Sequence, residues 1–365
     1  MKVAILGTNG IPARYGGFET FAEELSVGLV REGVDVTVFC VTGRNAQPDN
    51  YKGVRLEHVP SPRLGPLTTI LYDLRCMWQA RRNFDIVYML GYGAGPFFWI
   101  PRVFGRQFWV NMDGLEWKRS KWPWYGKLYL RISEWFAVRS ASLVVADAEG
   151  IRDYIVAKYG EDVNCHTIPY GAKVIESPPD VNLIRPYGLK PSDYYLVVCR
   201  LEPENHVKEI IGGFRDSGTK RNLVIIGDSR KDTPYVRELS RTTDDRIRFL
   251  GAVYDRELLE AFRYHAFAYF HGHSVGGTNP SLLEALGCGN VVIAHDNLFN
   301  REVAADCAFY FSKAPEIPGI IESLEIDANR HSGAQKARDR IRREYTWDNV
   351  TLAYQGLIQD AGNRG

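Results

Sequence analysis

The stretch HGHSVGGTNPSLLEALGCGN at 271–290 gathers the residue types best suited to holding an anionic ligand. A strand-like run, AFAYF, feeds a loop that carries Gly276 and Gly277. Asn279 then suits a helix N-cap, Pro280 the first helical position, and Ser281, Leu282 and Leu283 the first turn. Amides of a first helical turn have no partner within the helix, so they are disposed to grip a diphosphate. Glu284 lies about one turn inside, where a carboxylate accepts hydrogen bonds from ribose hydroxyls while the amides hold phosphate. The alternative is a surface glutamate favoured by the helix dipole, worth roughly 0.3–1 kcal/mol. A second glycine-rich stretch, TNGIPARYGGFET, follows the apolar run KVAILG. Gly10, Gly16 and Gly17 permit tight turns and close backbone approach to a ligand, and Glu19 and Thr20 open a helix whose N–H groups face an anion. The spacing does not match G-x-G-x-x-G, so a dinucleotide fingerprint is absent, and an ordinary strand-to-helix loop is the alternative.

The elements that must position these residues follow a βαβ grammar. KVAILG, VDVTVFCV, DIVYMLG, QFWVNM, LVVAD and CHTIPY read as buried strands, and 19–32, 70–83, 125–140 and 149–159 as amphipathic helices. Such alternation implies a doubly wound parallel sheet with ligands beyond the carboxyl ends of its strands. From 174 to 191 several prolines and polar residues read as a linker. The grammar then restarts with YYLVVCRL, NLVIIGD, IRFLGAV, AFAYFHG, NVVIAHD and AFYF, interleaved with helices. Two Rossmann-like domains facing a central cleft are therefore expected, at 1–172 and 185–344, with a last helix at 345–362 packing back on the first.

Composition narrows the classes of function. The chain has 365 residues, 45% of them hydrophobic, and 45 Lys and Arg against 44 Asp and Glu give a net charge of +1. That balance gives no reason to expect a nucleic-acid partner. The six cysteines are scattered without a C-x-x-C pair, which favours a reducing cytoplasm over a disulfide scaffold or a zinc site. MKVAILGTNG carries no apolar run with a cleavage site, and the most apolar window, 86–104, is broken by glycines and prolines, so neither secretion nor a spanning helix is expected. No metal is expected either: His271 and His273 lack a third ligand, and Asp244–Asp245 ends a polar helix.

The YGGFET loop, RLEPEN after the first strand of the second half, IIGD, FLGAV and SLLEALGCGN together resemble the retaining GT-B glycosyltransferases of glycosyltransferase family 4. More narrowly, IPARYGGFET with VNMDGLEWKRSKW and HGHSVGGTNPSLLEAL is similar to the bacterial branch that includes β-1,4-rhamnosyltransferases of cell-surface polysaccharide synthesis. The resemblance implies a nucleotide-sugar donor on the C-terminal domain and an acceptor on the N-terminal one. It sets Glu284 on the second glutamate of the family's E-x7-E pattern, and Gly276 where the first would be. That departure leaves His273, Ser274, Thr278 or the amides of Gly276 and Gly277 to meet the sugar. Arg200 matches the arginine that binds the donor diphosphate, and its usual lysine partner is Asn205, so His206, Lys208 or Arg14 would supply the missing charge. Gly16 and Gly17 are implied donor contacts, and Arg14 and Tyr15 acceptor or phosphate contacts.

Asp113 follows a strand, at the edge where the resemblance places a catalytic group beside the sugar, with Glu116 a second candidate. Helix capping by Asp113 fits DGLE almost as well. Directly after it, WKRSKWPWYGKLYLRISEWFAVRS interleaves tryptophans with lysines and arginines. Either this is a peripheral membrane surface beside a lipid-linked acceptor, or the tryptophans are core and the charges a solvated face. The leading expectation is thus a metal-independent, retaining transferase of L-rhamnose from dTDP-rhamnose to a lipid-linked saccharide, cytoplasmic or on the inner face of the plasma membrane. A GDP- or UDP-hexose donor, a nucleotide-sugar epimerase and a non-catalytic nucleotide-sugar-binding scaffold are the alternatives.

Overall fold

The structure, a computed structural model, describes residues 1–13, 16–43, 48–62, 64–65, 67–228, 233–326 and 330–363. The chain divides into two units, Met1–Gly171 with Trp347–Gly365, and Ala172–Thr346.

In the first unit the order is β1 (Lys2–Leu6), α1 (Gly17–Arg31), β2 (Asp35–Val41), β3 (Asn50–Tyr51), β4 (Val54–Val59), α2 (Leu67–Ala80), β5 (Ile86–Leu90) and α3 (Trp99–Val103). It continues through β6 (Gln107–Met112), α4 (Trp124–Ser140), β7 (Leu143–Ala146), α5 (Glu149–Tyr159) and β8 (Cys165–Thr167). The strands form one sheet in the order β3-β4-β2-β1-β5-β6-β7-β8, parallel except for β3 against β4. Central strands such as β5 and β6 are apolar and buried on both faces, as crossover helices covering both sides require. The β3–β4 hairpin is absent from the sequence reading. Its signal is local: Lys52 and Gly53 both take positive φ (49° and 88°), the geometry of a two-residue turn, and β4 alternates buried with exposed positions.

The second unit runs β9 (Tyr194–Val198), α6 (Val207–Arg215), β10 (Asn222–Ile226), α7 (Pro234–Leu239), β11 (Ile247–Gly251), α8 (Arg256–Tyr264), β12 (Ala268–His271) and α9 (Pro280–Gly287). It ends with β13 (Val292–His295), α10 (Leu298–Ala304), β14 (Ala308–Phe311), α11 (Ile317–Ile326) and α12 (Arg330–Glu344). Its six strands are all parallel, in the order β11-β10-β9-β12-β13-β14. Tyr195, Val197, Ile225, Phe270 and Ile293 from the strands pack with Ile210 and Phe214 of α6 and Ile317 of α11. Among the described side chains of α12 only Ala337 and Ile341 lie in the core, which is why its polar sequence concealed it.

The segment 174–191 is not a slack linker. The carbonyl of Ile175 accepts from Arg338 Nε at 2.9 Å, that of Tyr187 from Arg248 at 2.6 Å, and Ile184 and Leu189 are buried. Pro186 sits in a short helical turn, Arg185–Tyr187. The last helix, α13 (Trp347–Asn363), belongs to the first unit. Gly28 of α1 approaches Thr351 so closely that a Cβ there would collide with its side chain. Tyr354 presents its hydroxyl to that of Tyr88 on β5 at 2.6 Å, and Asn111 Nδ2 donates to the same Tyr88 oxygen at 3.1 Å. No disulfide joins the six cysteines.

Candidate functional site

In the second unit the site residues gather at the carboxyl ends of β9 and β12, which are neighbours in the sheet. Beyond β9 the chain turns through Arg200, whose guanidinium is 41% exposed and reaches Glu202 only at 3.8 Å. An ion pair that long and that wet contributes little, so the charge stays available to a ligand. Asn205 is buried: its Nδ2 donates to the Arg200 carbonyl at 2.6 Å and its Oδ1 accepts from His273 Nδ1 at 2.8 Å. The residue standing in the lysine position therefore ties the two loops together instead of supplying charge. Lys208 does not supply it either, since its ammonium pairs with Glu238 at 2.6 Å.

His206 takes a left-handed backbone (φ 46°) and opens α6; its Nδ1 donates to the Gly272 carbonyl at 2.8 Å. Its ring stacks on that of His295, centroids 4.0 Å apart and 18° from parallel. Partial burial, with His206 alongside, holds His295 below its ordinary imidazole value. Complete burial, reinforced by His273 and His295, holds His271 well below its own, and its Nε2 is buried without a hydrogen-bond partner among the described residues. Among the described residues no group of three or more His, Cys, Asp or Glu is arranged to hold a metal ion.

The start of α9 is capped as its sequence implies, with Asn279 Oδ1 accepting from Ser281 N at 2.9 Å and Pro280 in the first turn. One expectation needs correcting. The amides of Leu282 and Leu283 also have a partner, the Asn279 carbonyl at 3.1 and 3.2 Å, so Ser281, Leu282 and Leu283 offer no unpaired amide. Both leucine side chains are fully buried, and the Ser281 hydroxyl points into a triangle with Tyr269 Oη at 2.6 Å and the Val198 carbonyl at 3.0 Å. Ser274 is occupied as well, its amide and hydroxyl both donating to the Glu204 carbonyl. The amides of Gly276 and Gly277, two residues and one before the buried Thr278, donate to no other group among the described residues. Gly276 has φ of 128°, which only glycine adopts readily.

Glu284 is not a simple surface glutamate. Its Oε2 lies 2.6 Å from Nη2 of Arg263, the last turn of α8, with the guanidinium 6% exposed and the carboxylate 41%. Arg263 also reaches Ser281 Oγ at 3.3 Å. The sequence reading missed Arg263; its one signal is a basic residue in the inward phase of α8, beside Ala261 and Phe262.

In the first unit, Glu19 and Glu23 of α1 fold back onto the loop after β1. Glu19 Oε1 accepts from the amide and side chain of Asn9 at 3.1 and 2.8 Å, and Glu23 Oε2 from Ala13 N at 2.6 Å. Gly16 (φ 119°) caps α1 without any side chain, and a Cβ there would strike the Glu19 carboxylate. Gly17 begins the helix. Arg14 and Tyr15 lie outside the described residues.

Asp113 stands half-buried just past the carboxyl end of β6. It does not cap the short turn Glu116–Lys118, where Leu115 occupies the cap position without a side-chain hydrogen bond. The loop is held by Tyr92, whose hydroxyl accepts from Glu116 N at 2.8 Å and donates to the Gly114 carbonyl at 3.3 Å. Glu116 turns away from the role expected of it: its carboxylate accepts from Trp122 Nε1 at 3.0 Å and pairs with Lys121 at 2.6 Å and Arg119 at 3.4 Å. The tryptophans of this region are not core. Trp124 is 77% and Trp135 48% exposed, while Trp117 donates to Glu134 at 2.9 Å beneath the Arg131 guanidinium. No helix is long and apolar enough to cross a membrane among the described residues.

Two parallel α/β units, each presenting glycine-rich loops beyond its strand ends, define the GT-B fold of glycosyltransferases. The chain is similar to sucrose-phosphate synthase from Thermosynechococcus elongatus, with a TM-score of 0.85 and 15% identity over 100% of both chains. It is similar also to Anabaena HepE in complex with UDP-glucose (TM-score 0.79, 17% identity, 99% of this chain and 100% of that one). An α,α-trehalose-phosphate synthase from Burkholderia vietnamiensis gives a TM-score of 0.70 at 14% identity over 99% of each chain. Identities this low speak for the fold alone. Residues 183–325 match the family Glycosyl transferases group 1, and residues 1–173 match a domain of unknown function, DUF1972. The chain is a glycosyltransferase whose second unit carries the group 1 domain. No curated protein matches it in sequence.

Proposed function

We propose that this glycosyltransferase is retaining and metal-independent, and that it moves L-rhamnose from dTDP-rhamnose onto a saccharide carried by a polyprenyl diphosphate. The observation that carries the reading is the convergence beyond β9 and β12 of an exposed guanidinium, two undonated glycine amides and a carboxylate held by a buried arginine. In this reading Arg200 and the amides of Gly276 and Gly277 bind the diphosphate, Glu284 binds the ribose, and His273 and Thr278 stand beside the sugar. Gly16 and Gly17 are assigned to the donor as well.

The bond from the anomeric carbon to the diphosphate oxygen breaks as the acceptor oxygen bonds on the same face, and the departing phosphate takes the acceptor proton. Negative charge grows on the leaving group, so donors fixed in advance at the phosphates lower the barrier without a cation. Asp113 orients the acceptor hydroxyl or steadies positive charge at the anomeric centre. The binding of UDP-glucose by HepE favours a second donor class, UDP-hexoses.

One assay tests the donor, the acceptor and the independence of metal: a panel of nucleotide sugars with a lipid-linked monosaccharide, in the presence of a chelator, followed by mass. Extension from dTDP-rhamnose is the expected result. Extension from UDP-hexose alone would replace the donor, while acceptor-free isomerisation or binding without turnover would overturn the reading.

A further inference from the structure

The first unit exposes an apolar face that its own chain leaves uncovered. On α4, Trp124, Leu128, Ile132 and Trp135 recur at intervals that place them along one side of the helix, all of them exposed. The opposite side is pinned. Glu134, fully buried, accepts at Oε1 from Tyr154 at 2.9 Å, Lys158 at 2.8 Å and Tyr159 at 2.7 Å, all on α5, so the helix has no freedom to roll its tryptophans inward. The face continues onto α3, where Trp99 and Val103 are exposed and Arg102 reaches the carbonyls of Arg139 and Ser140 at 3.5 and 3.3 Å.

Charge identifies what covers it. Residues 67–140 carry eleven Lys and Arg against five Asp and Glu, although the whole chain is nearly neutral. Of those acids Asp73 and Glu134 are buried, and α3 and α4 expose none. Arg102, Arg131 and Arg139 flank the apolar stripe and are exposed. Two copies joined by this face would set cation against cation. Indole rings beside guanidinium groups, with no exposed acid between them, match an anionic headgroup layer above acyl chains.

We propose that α3 and α4 form the surface by which the protein lies on an anionic lipid bilayer. Trp124 follows directly on the loop that leaves β6 at Asp113, so docking sets that loop at the headgroup level. The inference deepens the reading of a lipid-linked acceptor, which it makes more accessible, but its test needs neither donor nor acceptor.

The full chain is sedimented with vesicles of phosphatidylcholine containing about one-third phosphatidylglycerol, and with pure phosphatidylcholine. Binding to the anionic vesicles alone, weakened by salt and accompanied by a blue shift of tryptophan emission, is expected. The triple variant Trp124→Ser, Leu128→Ser, Trp135→Ser should bind at least about tenfold more weakly with an unchanged circular dichroism spectrum and unchanged turnover of a short-chain, water-soluble acceptor. Arg131→Gln with Arg139→Gln should lose the preference for anionic lipid. Failure of the parent to bind, equal binding by the triple variant, or a dimer that the triple variant dissociates would overturn the proposal. Absent sugar transfer with intact vesicle binding would instead condemn the reaction and leave the surface standing.

Discussion

Arg263 holds Glu284 before any ligand arrives, so the carboxylate loses rotamer freedom in folding and not in binding. Arg263→Ala should therefore weaken donor affinity while leaving kcat at saturation nearly unchanged, and Arg263→Lys should restore part of it, as calorimetric titration would show. Glu284→Ala carries a second cost, because it leaves a guanidinium 6% exposed without its counter-charge, at about 3 kcal/mol of stability. Glu284→Gln separates the two effects. Among the described residues the Arg200 guanidinium has only the distant Glu202 to lose, so Arg200→Ala should leave thermal stability intact and weaken donor binding roughly 10- to 100-fold, the worth of a charge-assisted hydrogen bond. A fold-neutral Arg200→Ala with parental donor affinity would remove the diphosphate assignment. Asp113→Asn should leave donor binding alone and lower kcat about a hundredfold.

Elements with strong local signals are legible in the amino-acid sequence. The Asn279-Pro280 start of α9 is one, and its cap predicts that Asn279→Ala costs about 1 kcal/mol of stability, read from denaturant midpoints. Buried strands and amphipathic helices are equally plain, because their periodicity is a property of the sequence itself. What sequence does not display is which partner each polar group takes in space. A cap that satisfies Ser281 also removes an amide that the residue pattern leaves open, and only the fold shows Leu282 and Leu283 bonded to the same residue. Glu116 and Asp113 look alike as residue types, yet neighbours placed by the loop neutralise Glu116 through Lys121 and Arg119. Helix α12 eludes the pattern because just two of its described side chains reach the core.

At the scale of the molecule, the two units carry opposite responses to acid. Burial raises Asp73 on α2 from 3.8 to about 7, so between those values the folded first unit binds a proton that the unfolded chain does not, and its stability falls as pH climbs. His271 in the second unit is held well below 6.5, so below that pH the unfolded chain binds the extra proton and stability falls as pH drops. Acidification from about pH 7 to pH 5 should move two calorimetric transitions in opposite directions, with Asp73→Asn and His271→Phe each flattening its own. The course of the chain between the units has a consequence for biosynthesis. Residues 172–346 leave the ribosome as a complete set of strands and helices, whereas the unit begun by Met1 still lacks α13, whose Tyr354 and Thr351 fill positions against Tyr88 and Gly28. The part made first is thus finished last, and a nascent chain stalled before residue 347 would expose the aromatic seam around Phe21 and Tyr88 to chaperones while its partner half is already folded.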